Sequence, residues 1–271
     1  MTTEFKTSSH EEFVDYYREQ SDKQETWDHF ERIYAGLIAL HGDLRAEKIL
    51  RFADIGGGSG TFSRVVASHS HKSACVDLNE PLIEIGRKRA ADENLDIEFH
   101  VASATDIPLD DQSMDVCIVA ELLEHIEDWE ACLNEVSRIT KPGGAILLST
   151  TNAMCPVQSE FNLPMYSWYP APLKRHFVKR AQSDRPDLAN YATYPAFHWF
   201  TFYSLRAALA QRGFTEFYDR FDLSLARKEN GKKRLVYKLI TLIPFARFFA
   251  YFLTSGSTIV AIKAQHHATK K

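Results

Sequence analysis

Apolar positions recur along the chain at two periods, and the alternation between the periods sets the architecture. Between residues 11 and 41, Phe13, Tyr16, Tyr17, Trp27, Phe30, Ile33, Tyr34, Leu37 and Leu40 fall at helical spacing. Residues 49–55 then read as a strand running into a cluster of glycines, and a helix is expected from about Thr61. Strand and helix continue to alternate: strands at 74–78, 97–101, 115–120 and 145–149, helices at 81–94 and 129–140. The 115–120 segment is continuously apolar, as a parallel strand covered on both faces should be. Lys141-Pro142-Gly143-Gly144 is expected to stop the helix before it. This order predicts βαβ crossovers and a doubly wound α/β sheet, mostly parallel and seven-stranded.

The pattern breaks after residue 152. Residues 152–198 have no clean period and are rich in proline and aromatics. A helix at 200–212 ends at Gly213, and strands are expected at 216–223 and 258–263. The domain scheme is therefore an N-terminal helical segment, 1–48, followed by a core, 49–271. Two helical cap insertions, at about 152–198 and 225–256, decorate that core, because long structureless loops are improbable in a compact domain.

Composition changes this picture little. Apolar residues make up 45% and charged residues 25% of the 271 positions, as in an ordinary globular chain. The net charge of −4 disfavours nucleic acid as a partner. Cys75, Cys117, Cys132 and Cys155 show no CxxC spacing, which argues against zinc and for buried thiols in a reducing, cytoplasmic compartment. The polar start of the chain has no signal-peptide pattern. One segment, 232–253, begins Lys-Lys-Arg and continues apolar and aromatic. Lys238, Pro244 and Arg247 interrupt it, so it is a poor spanning helix. Peripheral membrane contact, a buried lid and a dimer helix all stand as readings of it.

The candidate chemistry begins at Asp54-Ile55-Gly56-Gly57-Gly58-Ser59-Gly60, between the first strand and its helix. Glycines let the backbone turn sharply, and the helix N-terminus offers free N–H groups to a polar cofactor. Asp77 ends the second strand, where a carboxylate can accept from ribose hydroxyls. The glycines are spaced GxGxG, whereas dinucleotide sites have GxGxxG.

Asp54-x-Gly56-x-Gly58-x-Gly60, the run Ser103 to Asp115, Lys141-Pro142-Gly143-Gly144, and His198-Trp199-Phe200-Thr201 resemble, in order, the motifs of class I S-adenosylmethionine-dependent methyltransferases. The resemblance implies a Rossmann-like methyltransferase fold with S-adenosylmethionine as cofactor. It assigns Asp54, Gly56, Gly58, Gly60, Asp77, Leu78, Ser103, Ala104 and Glu121 to cofactor binding. Many relatives have an acidic residue where Ser103 stands. A nicotinamide-type oxidoreductase and a non-catalytic adenosyl-cofactor-binding protein are the alternatives.

Beyond the fourth strand lies Glu121-Leu122-Leu123-Glu124-His125. These groups arrive where open α/β sheets bind ligands. Either they organise a loop, or they supply a base or a hard-metal site. The Glu-x-x-Glu-His spelling resembles the ubiquinone-biosynthesis O-methyltransferases, which implies a divalent cation such as magnesium on Glu121, Glu124 and His125. His125 and His198 are the candidate catalytic bases, since imidazole titrates near neutrality. The aromatics of 161–176 form either a wall for a lipophilic acceptor or an ordinary subdomain core. The expected reaction is methyl transfer to a small molecule, on an oxygen of an aromatic or lipophilic compound.

Overall fold

The computed structural model describes residues 14–15, 17–40, 49–190, 192, 195–227 and 231–265. Phe13, Tyr16 and residues 41–48 therefore lie outside the described residues. Seven strands form one sheet in the order β3-β2-β1-β4-β5-β7-β6. They are β1 Arg51–Ile55, β2 Lys72–Asp77, β3 Ile97–Val101, β4 Met114–Ala120, β5 Thr140–Thr151, β6 Phe214–Asp219 and β7 Gly256–Lys263. The first five pair in parallel, and β7 runs antiparallel between β5 and β6. The strand order reverses between β1 and β4, so their carboxyl ends diverge and leave a crevice.

The two-residue alternation of the strands sorts the core into two layers. Ala53, Ile55, Cys117, Val119, Ile146 and Leu148 face α4 (Trp129–Ile139) and α6 (Phe202–Ala210). Phe52, Val116, Ile118, Ala145 and Leu147 face the opposite layer. That layer holds α1 (Gln24–Leu40) and α2 (Thr61–Ser68), with Leu37 of α1 fully buried. The remaining helices are α3 Glu80–Asp92, α5 Ala171–Ala181, α7 Arg220–Ala226, α8 Lys232–Leu242 and α9 Ala246–Tyr251.

The helix before Lys141 ends at Ile139, as expected, while three other local expectations give way. The fifth strand begins before 145, with residues 141–144 absorbed into β5 as an irregularity: Thr140 already pairs with Met114, and the register shifts before Ala145. Gly143 makes this geometry possible at φ +75. The strand expected at 216–223 ends at Asp219, whose carboxylate accepts from the N–H groups of Phe221 and Asp222 and opens α7. Asp222 answers by accepting from the Asp219 N–H, a reciprocal capping box that outweighs the β-propensity of the segment. The late apolar segment is two helices, broken around Pro244 with Phe245 at φ +63.

Candidate functional site

The glycine loop is fixed from below and open above. Asp54 is buried and accepts from the Ser63 N–H (3.3 Å) and the Ser63 hydroxyl (3.2 Å), tying the end of β1 to α2. Burial, the dominant cause, pushes its carboxyl up to about 7. Asp54 thus stands beneath the loop as its anchor. Gly58 has φ +55, and a Cβ there would meet only Leu82 Cδ1, at 3.6 Å. Gly56 has φ +72, and its Cβ would lie 2.6 Å from Leu122 Cδ2. One glycine is demanded by the backbone turn beside open space, the other by close packing on the chain that leaves β4.

Asp77 sits at the end of β2, half-buried, with Oδ2 accepting from the Gly58 N–H (2.8 Å) and Oδ1 from the Asn79 N–H (2.8 Å). Burial raises its pKa and the two N–H bonds oppose that. Each carboxylate oxygen retains a lone pair for a hydroxyl. Leu78 beside it is 65% exposed, an apolar surface held in the open at the sheet edge. Ser103 is engaged within its own loop: its hydroxyl pairs with that of Thr105 (2.7 Å) and accepts from the Thr105 N–H. An adenosyl group fits these residues: a glycine cradle, a carboxylate on the neighbouring strand end and an exposed leucine.

The end of β4 feeds a second space. A cleft of about 330 Å³ opens on the α1 side of the sheet, lined by Glu121, Ser149 and Thr151 of the strand ends and by Glu160, Arg220 and Arg227. Ile33, Leu147 and Leu223 supply its apolar floor. His29 also faces it, and its pKa is lowered by burial first and then by Arg32 and Arg227. Arg220, Leu223, Ser224 and Arg227 lie at i, i+3, i+4 and i+7 on one face of α7. That spacing was the available helical signal in a stretch expected to be a strand. Glu160, in the aperiodic insertion, carried no signal at all.

The Glu121, Glu124 and His125 group does not assemble as a metal site. Glu124 turns inward, fully buried, and accepts from the Thr150 hydroxyl (2.8 Å). Its backbone carbonyl accepts from the N–H groups of Phe197 and His198. Burial, then the charge of Glu121, pushes its carboxyl up to about 8. His125 instead approaches Glu160, Nε2 to Oε2 3.9 Å. Among the described residues, no three His, Cys, Asp or Glu side chains are grouped to hold a metal ion. His198 is fastened elsewhere, its Nε2 3.0 Å from the Glu127 carbonyl. The two candidate bases are therefore separated by function: His125 borders the carboxylates, and His198 braces the loop after β4.

The aromatic stretch of the first insertion packs on itself. Phe161 stacks on Tyr166 at 4.1 Å, and Tyr169, Phe177 and Trp199 surround the pair. Its contribution to the cleft is Gln158, Ser159 and Glu160, so the wall is more polar than the sequence suggests. Among the described residues of 231–254, none lines the cleft.

Part of the chain is similar to known proteins. Residues 53–148 match the family described as methyltransferase domain. The seven-stranded sheet built around this segment has a Rossmann-like methyltransferase fold. The match does not favour the nicotinamide alternative. A demethylmenaquinone methyltransferase from Clavibacter sepedonicus is 35% identical over 98 residues, 36% of this chain and 40% of that protein. A ubiquinone biosynthesis O-methyltransferase from Coxiella burnetii is 31% identical over 99 residues, 36% of this chain and 42% of that protein. The chain thus spans under half the length of these curated relatives. In fold, PH0226 from Pyrococcus horikoshii superposes with a TM-score of 0.56 at 16% identity, covering 92% of this chain and 98% of that one. A putative sarcosine dimethylglycine methyltransferase from Galdieria sulphuraria gives 0.56 at 14%, covering 89% and 86%.

Proposed function

We propose that the chain transfers a methyl group from S-adenosylmethionine to an oxygen of a small amphiphilic acceptor, aromatic or lipophilic in its body. The observation that carries this reading is the shared strand end: β4 separates a glycine cradle from a cleft that holds carboxylates and guanidinium groups. The O-methyltransferase name of one relative supports oxygen as the acceptor atom. The cofactor supplies an electrophilic methyl, so the chain's task is alignment and removal of one proton.

In this reading the Gly56–Gly60 loop and the Asp77 carboxylate hold the cofactor. Leu78, Ser103 and Ala104 border its ring, and Glu121 borders its amino-acid end. His125, next to Glu160, is the base, and His198 keeps the loop in place. Arg220 and Arg227 would meet an anionic or hydroxylated end of the acceptor, while Ile33, Leu147 and Leu223 would cover its apolar part. The magnesium expected from the Glu-x-x-Glu-His spelling does not fit the donor set, and no step is routed through it. The four buried free thiols agree with a cytoplasmic, reducing setting.

The test is turnover with labelled cofactor against phenols, carboxylates and lipophilic quinols. Release of S-adenosylhomocysteine with one of these classes is expected. Cofactor binding without turnover on any acceptor would favour the non-catalytic alternative, and failure to bind either form of the cofactor would refute the reading.

A further inference from the structure

The segment 231–255 is anchored to the core on one side and bare on the other. Arg247 donates to Asp222 and Asp219 of α7's capping box. The Asn152 amide, at the end of β5, donates to the carbonyls of Tyr251 and Thr254 (2.8 and 2.7 Å). Tyr237 and Tyr251 pack edge-on against Phe221 of α7. These contacts fix the orientation of α8 and α9 relative to the sheet.

The outer surface is apolar to an extent that water does not favour. α8 buries none of its residues completely. Leu235, Leu239 and Leu242 lie at i, i+4 and i+7, on the side away from Tyr237 and Ile240, which face the core. Leu242 is 76% exposed, Phe245 79% and Leu253 87%, with Phe249 and Ile243 beside them. Contiguous apolar patches of this kind mark interaction surfaces. The segment contains Lys232, Lys233, Arg234, Lys238 and Arg247 and no Asp or Glu, in a chain whose net charge is −4. On the α8 wheel, the exposed Lys232 and Lys238 flank the leucine arc on either side. Among the described residues no helix is long and apolar enough to cross a membrane.

We infer that α8 and α9 form a peripheral anchor that docks on an anionic lipid surface. An apolar arc bordered by cations, with no acidic residue, is complementary to negative headgroups over acyl chains. A second copy docking through the same face would set the same basic rim, with no acidic residue, against it. α7 has two faces. Phe221 meets the anchor, while Arg220, Leu223, Ser224 and Arg227 line the cleft. The anchor therefore docks one helix away from the acceptor space and leaves the glycine loop free. This inference rests on the surface alone and does not require the methyl-transfer reading.

The test is co-sedimentation of the full chain with phosphatidylcholine vesicles, with and without phosphatidylglycerol, at low and high salt. Binding to the anionic vesicles that weakens with salt is expected. Lys232→Gln, Lys233→Gln and Lys238→Gln together, all on exposed side chains, should lower partitioning by on the order of a hundredfold. Leu239→Ser, Leu242→Ser and Phe249→Ser should abolish it. Phe245→Trp should gain fluorescence quenching by brominated lipid over the wild type. S-adenosylhomocysteine affinity should be unchanged in each variant, which shows that the core is folded and keeps this test separate from that of the activity. No binding to anionic vesicles, binding indifferent to both sets of substitutions, or a dimer in light scattering that the serine variants dissociate would overturn the inference.

Discussion

Glu124→Gln should make the protein less sensitive to alkaline pH, and the size of the effect follows from where Glu124 sits. Its carboxyl is fully buried, accepts one bond from Thr150 and feels the negative charges of Glu121 and Glu160. Burial and these charges move it from 4.5 to about 8. A folded-state pKa above the unfolded one means that the native state holds its proton longer. The associated stability is fully present below about pH 4.5 and is lost as pH rises through about 8. Within that window each pH unit costs about 1.4 kcal/mol. Between about pH 6 and pH 8 the wild type should therefore lose roughly 2 kcal/mol that the glutamine variant keeps, because an amide does not titrate. The glutamine carbonyl can still accept from Thr150, so the comparison isolates the charge. For a chain of this size the difference is roughly 4–8 °C in melting temperature. Urea or thermal melts of both proteins across that range measure it. Parallel stability curves would show that Glu124 ionises without penalty and would refute the buried, neutral carboxyl.

Asp77→Ala should weaken S-adenosylhomocysteine binding tenfold to a hundredfold, since a charge-assisted hydrogen bond contributes about 1.5–3 kcal/mol. Unchanged affinity by calorimetry would remove Asp77 from the site. His125→Asn should lower kcat with little change in cofactor affinity, and Glu160→Gln should change the pH profile of kcat/KM. A profile identical to wild type for Glu160→Gln would break the proposed pairing.

The parts of this molecule that repeat a short rule were legible in the sequence. β1, β2, β3 and β4 fall within a residue or two of their expected positions, because each is a short run of β-forming residues, continuous in β4 and alternating in β3. The glycine loop was legible because its spacing is a backbone requirement. The cleft was not, because its residues come from distant segments. Glu160 lies in an insertion without a period, and Arg220 and Arg227 lie on α7, where local β-propensity concealed a capping box at Asp219 and Asp222. The metal expectation failed for a different reason. The spelling Glu121 to His125 gives the order of the groups but not their directions, and a short 3-10 turn at Leu123–His125 sends Glu124 inward and His125 toward Glu160.

That turn begins with a strained residue. Glu121 has φ +49, a left-handed conformation that costs a side chain about 1 kcal/mol, and its N–H still bonds the Ser149 carbonyl at 2.8 Å. The ladder between β4 and β5 is thus kept to the last residue, and the chain then turns abruptly. The turn directs three successive roles. Glu121 remains exposed at the cleft, Leu122 supports Gly56 of the cofactor loop, and Leu123 is buried in the core. A residue in ordinary extended conformation would carry the strand onward, and Leu122 would lose its contact under the loop. Strain of this kind persists where the surroundings over-determine it, here through the Ser149 bond on one side and Leu123 packing on the other. The glycine loop and the cleft are neighbours because one left-handed residue at the end of β4 separates them.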